Sequence, residues 1–292
     1  MRITFKPKQV VDSLLSVLQD RARDIVERRF GLTGKNPERM TLEAIGGTYD
    51  ITRERVRQIE NFSLSAMRKS EAYTKAKPAF DELEDALVEF GGLVKEDIFL
   101  ESLAKDVETQ NRLNFLLTIG ESFHRIKEDD SFHHRWTTDI DHADKVQGSL
   151  HMLYKSLSTE DLIEESVILE NFLDHLRNEL RNRIDDGHAR SWLDISKLIS
   201  ANALGEWGLA ESKNIRTRGM RDYAYLVMRK RGEPMHFSEV ASSIEDTFGR
   251  KAHVATCHNE LIKDPRFVLV GRGMYALSAW GYSNGIVRDV IK

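Results

Sequence analysis

The chain has 292 residues, 40% of them hydrophobic and 31% charged, and its 43 Lys+Arg against 47 Asp+Glu leave a net charge of −4. That length holds two to four small domains rather than one core, and no apolar run approaches the roughly 20 residues that span a bilayer. Met1-Arg2-Ile3-Thr4 lacks the apolar centre of a signal peptide, and Cys257 is the single cysteine, which excludes an internal disulfide and a multi-cysteine zinc site and points to the cytoplasm.

From the amino terminus, Val10, Leu14, Leu15, Leu18, Ile25, Val26 and Phe30 are spaced as the apolar faces of helices over residues 5–31, with Gly31 as a stop. Lys35-Asn36-Pro37 reads as a turn. Thr41 can cap a short helix opened by Leu42-Glu43-Ala44-Ile45, and Tyr49-Asp50-Ile51 then turns straight into a second cap, Thr52. In the following stretch, TRERVRQIENFSLSAMR, residues advance by about 100° each. Val56, Ile59, Ser63 and Met67 therefore share one stripe, while Arg53, Glu54, Arg57 and Gln58 share the opposite arc. Two helices with a tight connection are a helix-turn-helix. Its polar arc suits a major groove: arginine binds guanine bidentately, glutamine can do the same for adenine, and glutamate can accept from cytosine. Thr52 sets the positive end of the helix near a phosphate. The plainer reading is a surface helix in which Glu54 pairs with Arg57 or Gln58. It explains the charges but not the preceding helix and turn.

The blocks RRFGL (Arg28 to Leu32), TLEAIG (Thr41 to Gly46) and ITRERVRQIE (Ile51 to Glu60) follow one another at the right spacing. The stretch from about Leu18 to Arg68 that carries them resembles region 4 of primary-type bacterial sigma factors. The resemblance implies that Arg53, Glu54, Arg57 and Gln58 read a −35-like promoter element in double-stranded DNA. Thr52, Arg55, Asn61 and Arg68 complete the expected DNA-binding set, and the helices before Gly31 would grip the RNA polymerase flap. Where that family continues with basic residues, this chain has Phe62 and Ser65, so fewer phosphate contacts and weaker binding are expected. Nothing resembles the aromatic-rich segment with which sigma factors melt the −10 region, so the chain is not expected to open a promoter alone.

After Lys69 a polar bridge leads to Pro78. Phe80, Leu83, Leu87 and Phe90 predict a helix ended by Gly91-Gly92, with further helical segments at Val94–Leu103 and Asn111–Ile119. Period-two alternation over Phe123–Ile126 and Phe132–Trp136, with Glu128-Asp129-Asp130 at the bend, predicts a hairpin. Helices followed by a hairpin make residues 79–140 a winged-helix-like unit. A divergent echo lies 69 residues on, Leu162-Ile163-Glu164-Glu165 with Leu169-Glu170 matching Leu93-Val94-Lys95-Glu96 with Leu100-Glu101. It suggests a second such unit within the helical stretch 145–215, with chance coincidence of two amphipathic helices as the alternative. Asp185-Asp186-Gly187 reads as a loop, and Leu193–Ile199 as a helix leading to Trp207.

In residues 216–283, Tyr223, Leu226 and Val227 mark a helix, Pro234–Phe237 an extended link, Ser238 a cap for Glu239–Ile244, and His253–Ile262 another helix. Phe267–Leu277 reads as two strands around a glycine-flanked turn. GEPMHFSEV followed by RFVLVGRGMYALSAWGY resembles the HARE-HTH family, which includes the amino-terminal domain of the RNA polymerase delta subunit. That resemblance implies a polymerase- or DNA-associated module over about residues 218–282. Arg272 at the wing tip joins the DNA-binding candidates, with a protein contact or weak phosphate contact favoured over base reading. Residues 284–292 read as the start of a further helix, and the chain as a piece of something longer.

Counted by block, residues 1–72 carry 14 Lys+Arg and 10 Asp+Glu, residues 73–213 carry 16 and 29, and residues 214–292 carry 13 and 8. Basic ends attract a polyanion and an acidic middle repels it, so the middle faces protein or solvent. No catalytic constellation stands out. His253, Cys257 and His258 offer too few ligands for a closed zinc site, His133 and His134 fall on opposite faces of a strand, and no glycine-rich phosphate loop follows a strand. The expectation is therefore a mainly α protein, with a helix-turn-helix head over residues 1–72 that folds alone and tandem winged-helix domains behind it. It would be a bacterial or phage transcription factor with no cofactor, metal, membrane or enzymatic role, binding DNA, RNA polymerase or both. The rival is an adaptor that binds polymerase and does not read DNA.

Overall fold

The computed structural model describes residues 3–33, 37–176 and 186–282. It is mainly helical with small antiparallel sheets, in a helix-turn-helix and winged-helix arrangement. Two compact units divide the chain, Met1–His151 with Phe172–Lys197 and Met152–Asn171 with Leu198–Lys292.

The first unit opens with α1 (Pro7–Leu15), which has proline in its first turn, and α2 (Asp20–Phe30), which Gly31 ends in the left-handed region at φ 64°. The threonine caps then set two helices in succession: Thr41 accepts from the Ala44 amide to start α3 (Leu42–Tyr49), and Thr52 from the Arg55 amide to start α4 (Arg53–Arg68). A short α5 (Glu71–Lys75) precedes α6 (Lys77–Val88), and Gly91 and Gly92, both at φ 75°, turn the chain. β1 (Leu93–Lys95), α7 (Glu96–Leu103), α8 (Val107–Ile119), β2 (His124–Ile126) and β3 (Arg135–Thr137) follow, the strands ordered β1-β3-β2. This is a winged-helix order. Next along the chain come α9 (Ile140–Ser156), α10 (Glu165–His175) and α11 (Asp186–Leu193).

One apolar cluster joins Val11, Leu14 and Leu15 of α1, Val26 and Phe30 of α2, and Leu64 and Met67 of α4 to Phe80, Leu83, Phe99, Leu113, Phe115 and Trp136 beyond them. Phe30 meets Phe115 edge to face at 5.2 Å. A buried polar tie reinforces the join. Asn111 of α8 donates to the Gly31 carbonyl at 3.1 Å and the Pro37 carbonyl at 2.6 Å, and accepts from Arg39 Nε at 2.8 Å. The head and the first winged-helix element thus share this core.

In the second unit, β4 (Ile199–Ala201) and β5 (Trp207–Leu209) form a hairpin, and Ile163 bridges to Trp207 on the far side of β5. α12 (Met220–Arg231), β6 (Met235–His236), α13 (Phe237–Phe248), α14 (Val254–Lys263), β7 (Phe267–Gly271) and β8 (Met274–Leu277) complete it, with strand order β6-β8-β7. Its core gathers Ala224, Val227, Met228, Val240, Ile244, Cys257, Leu261, Phe267 and Tyr275. The two positions matched by the 69-residue echo, Val94 and Ile163, both oppose a tryptophan on the middle strand, Trp136 and Trp207, and Met235 opposes Tyr275 in the same way.

Several local expectations are corrected. Val94 and Lys95 belong to the strand Leu93–Lys95 rather than to the helix expected from Val94, because that strand pairs with Arg135–Thr137, some forty residues away and invisible to local spacing. α8 starts at Val107 rather than Asn111, since Asp106 caps it by accepting from the Thr109 amide at 2.8 Å. Leu193–Ile199 is not a helix. Leu193 ends α11, and the next residues pair across the chain, His133 N donating to Ile195 O at 2.9 Å and Lys197 N to Ser131 O at 2.8 Å. Asp186 and Gly187 open α11 instead of forming a loop, while Asp185 lies outside the described residues. Ser238 lies inside α13, whose cap is His236; the Glu239 carboxylate accepts from the His236 amide at 3.2 Å. The expected turn at Lys35-Asn36 and the expected helix at residues 284–292 also lie outside the described residues.

Candidate nucleic-acid interface

α2, α3 and α4 form a small core of their own around Ile25, Ile45 and Val56, with Met40, Leu42, Tyr49, Ile51 and Ile59 packed against it. The turn between α3 and α4 requires two special residues. Asp50 adopts φ 52°, a left-handed conformation that Asp tolerates better than most residues. Gly46 must lack a side chain, because a Cβ there would stand 2.6 Å from the Ile51 carbonyl. Ile51 N donates to Gly46 O at 3.0 Å, closing the turn. Arg29 clamps the assembly from α2, donating to Met40 O at 3.0 Å and approaching Glu60 of α4 at 3.5 Å. Burial pushes the Glu60 carboxyl above its ordinary range, against the pull of Arg29.

The stripe named from spacing packs inward: Val56, Ser63 and Met67 are buried and Ile59 is half-buried. Thr52, Arg53, Glu54, Arg55, Arg57, Gln58 and Asn61 are all exposed. Their side chains are partly preorganised by one another. Arg57 Nε and Nη2 donate to the two carboxylate oxygens of Glu54 at 2.8 and 2.7 Å, and Arg55 Nη1 donates to Gln58 Oε1 at 3.1 Å. The Arg57 hydrogen bond holds the Glu54 carboxyl below its usual range, and the same bond raises the Arg57 guanidinium. The Glu54–Arg57 pairing of the plainer reading is therefore present, on a helix whose caps, turn and packing are those of a helix-turn-helix.

Two expected site residues stand elsewhere. Arg68, half-buried near the end of α4, donates from Nε to Ile119 O at 2.9 Å and from Nη2 to Thr118 O at 3.0 Å, at the carboxyl end of α8. Arg272 lies at the exposed turn between β7 and β8, in the second compact unit. Phe62 is 76% exposed, a large apolar side chain with no core to enter. Arg29 was not among the expected residues. Together with Arg53 it lines a depression at the start of α3 that also includes Thr41, Leu42 and Glu43. The signal for it was the RRFGL block, whose second arginine spacing alone leaves without a partner.

Outside this region, among the described residues no group of three or more His, Cys, Asp or Glu side chains is placed to hold a metal ion. Burial pushes the Cys257 thiol up to about 11. No described helix is long and apolar enough to cross a membrane.

Residues 14–69 match the family described as Sigma-70, region 4. Over 61 residues the chain is 41% identical to the RNA polymerase sigma factor RpoD of two Helicobacter pylori strains, 26695 and J99. The aligned stretch is 21% of this chain and 9% of each relative, so the likeness spans under a tenth of those proteins. No solved structure matches the chain.

Proposed function

We propose that the protein is a sequence-specific DNA-binding transcription factor of sigma-region-4 type, which sets α4 in the major groove of a −35-like promoter element and engages RNA polymerase through the opening helices. The observation that carries this reading is the joint exposure of Arg53, Glu54, Arg57 and Gln58 on a helix whose amino end Thr52 caps and whose opposite stripe is buried. The likeness of residues 14–69 to Sigma-70 region 4 supports it independently. In this reading Thr52, Arg55 and Asn61 flank the base contacts and Arg272 adds a phosphate contact from its own unit. The winged-helix elements, including the stretch resembling HARE-HTH, serve as polymerase or DNA contacts. The protein acts by binding rather than by catalysis, and it does not melt promoters alone.

An adaptor that holds polymerase without reading DNA is the second reading, favoured by one feature: Phe62 offers a partner an exposed aromatic side chain where a phosphate-binding cation is absent. Titration of the full chain with duplexes carrying a −35-like or a scrambled hexamer, repeated over a salt series, separates the two. The transcription-factor reading expects tighter binding to the −35-like duplex at every salt concentration. Equal affinities, with polymerase still captured, establish the adaptor.

A further inference from the structure

The second unit contains a cleft of about 540 Å³ between the loop after β5, the start of α12 and the end of α14. Its floor is a fixed polar network. Arg266 donates from Nη2 to Asp264 at 2.7 Å and to Asp222 at 2.9 Å, and lies over the Tyr225 ring at 5.1 Å. Asp222 and Asp264 are buried, so this arginine is immobilised by its partners, and the three groups together carry a net charge of −1. Ser212, also buried, ties the loop down by donating to Thr159 O at 2.7 Å.

Three further cations line the cleft differently. Lys213, Arg221 and Lys263 are exposed, and Arg221 also interacts electrostatically with Asp264. Glu160 and Glu211 also line it, and with Asp222 and Asp264 they balance the four lining cations, so the positive character comes from the adjoining loop. The stretch Lys213–Arg221 adds Arg216 and Arg218, both exposed, and contains no carboxylate. Pro265 is the one apolar side chain among the described lining residues. That lining argues against a protein partner, since the buried centre of a protein interface is apolar, and it offers no aromatic face on which a base could stack. It suits a ligand that presents isolated negative charges and needs no hydrophobic contact.

We infer that this cleft binds the phosphates of a DNA duplex, as a sequence-independent contact additional to base reading by α4. The inference rests on the reading that the chain binds duplex DNA, and it locates basic character that the wing tip and α14 alone do not supply.

The test uses the full chain with Lys213, Arg221 and Lys263 all changed to Gln. These side chains are exposed, and an unchanged helical circular-dichroism spectrum confirms the fold. Each cation removed from a phosphate lowers the slope of log affinity against log salt by about 0.9, so the slope should shrink by about two to three on both −35-like and scrambled duplexes. The ratio between the two duplexes should stay as it was. Glu211→Gln should act oppositely, tightening both duplexes alike. Inorganic pyrophosphate is a second probe. If it protects the wild type against heat at millimolar concentration and leaves DNA binding unchanged, the site takes free phosphates and the duplex proposal is overturned. An unchanged slope in the triple variant overturns it too, as does loss of polymerase capture without a change in slope. Failure of the α4 reading is told apart by Arg57→Ala, which alters the ratio between duplexes and not the contribution of the cleft.

Discussion

At the scale of single residues, the candidate interface is a set of exposed heads, two pairs of which hold one another. Arg57 is held by Glu54 in a two-point contact at 2.7 and 2.8 Å. Both groups are exposed, so the pair holds the helix surface only weakly, and in the proposed reading it gives way to base contacts. Phe62 is the opposite case, since it has no partner to exchange and carries no charge toward a phosphate. Phe62→Lys is therefore expected to tighten binding to −35-like and scrambled duplexes alike and to steepen the salt slope by about one, with the helical spectrum unchanged because the position is outside the core. A fluorescence-anisotropy salt series on both duplexes checks this. No change in slope would place Phe62 away from the DNA backbone.

At the scale of elements, the sequence made the head legible because its signals are local: threonine caps, one apolar stripe and a turn glycine lie within thirty residues. The polar arc of α4 was legible for the same reason. What escaped was long-range. Nothing near Leu93-Val94-Lys95 indicates that it pairs with Arg135–Thr137, and nothing near Arg68 indicates that α8 ends beside it. Arg68 sits in the helix where a DNA contact is expected, yet its guanidinium satisfies the last carbonyls of another helix, a favourable place for a cation. Arg68→Ala should then cost about 1–3 kcal/mol of stability, the range for losing hydrogen bonds to a charged group, and leave the preference for a −35-like duplex intact. Chemical denaturation and duplex titration of the same variant check the two halves. An unaltered midpoint with weakened DNA binding would return Arg68 to the interface.

At the scale of the molecule, the expectation of a head that folds alone meets a core that runs on past it. Leu14, Leu15 and Met67 belong to a buried cluster that takes in residues of α6 to α8, and a chain ending near residue 72 would lack that part of it. Asn111 is the polar counterpart of this join, and its three partners lie 72 to 80 residues away in the chain. Asn111→Ala should destabilise the first unit by about 1–3 kcal/mol, the penalty for orphaned buried polar groups, and bring down the head and the first winged-helix element in one transition. Hydrogen exchange at the amides of α3 and α4 and at those of α8 should show the same loss of protection; a loss confined to the head would mean that it unfolds by itself. Base reading by α4 is tested most directly by the full-chain variant Arg57→Ala. Its affinity for −35-like and scrambled duplexes is measured beside the wild type at fixed salt. A bidentate guanine contact exists only with the right base, so the variant should lose about 1–3 kcal/mol on the −35-like duplex and almost nothing on the scrambled one. Equal losses on both duplexes, or none on either, would contradict it.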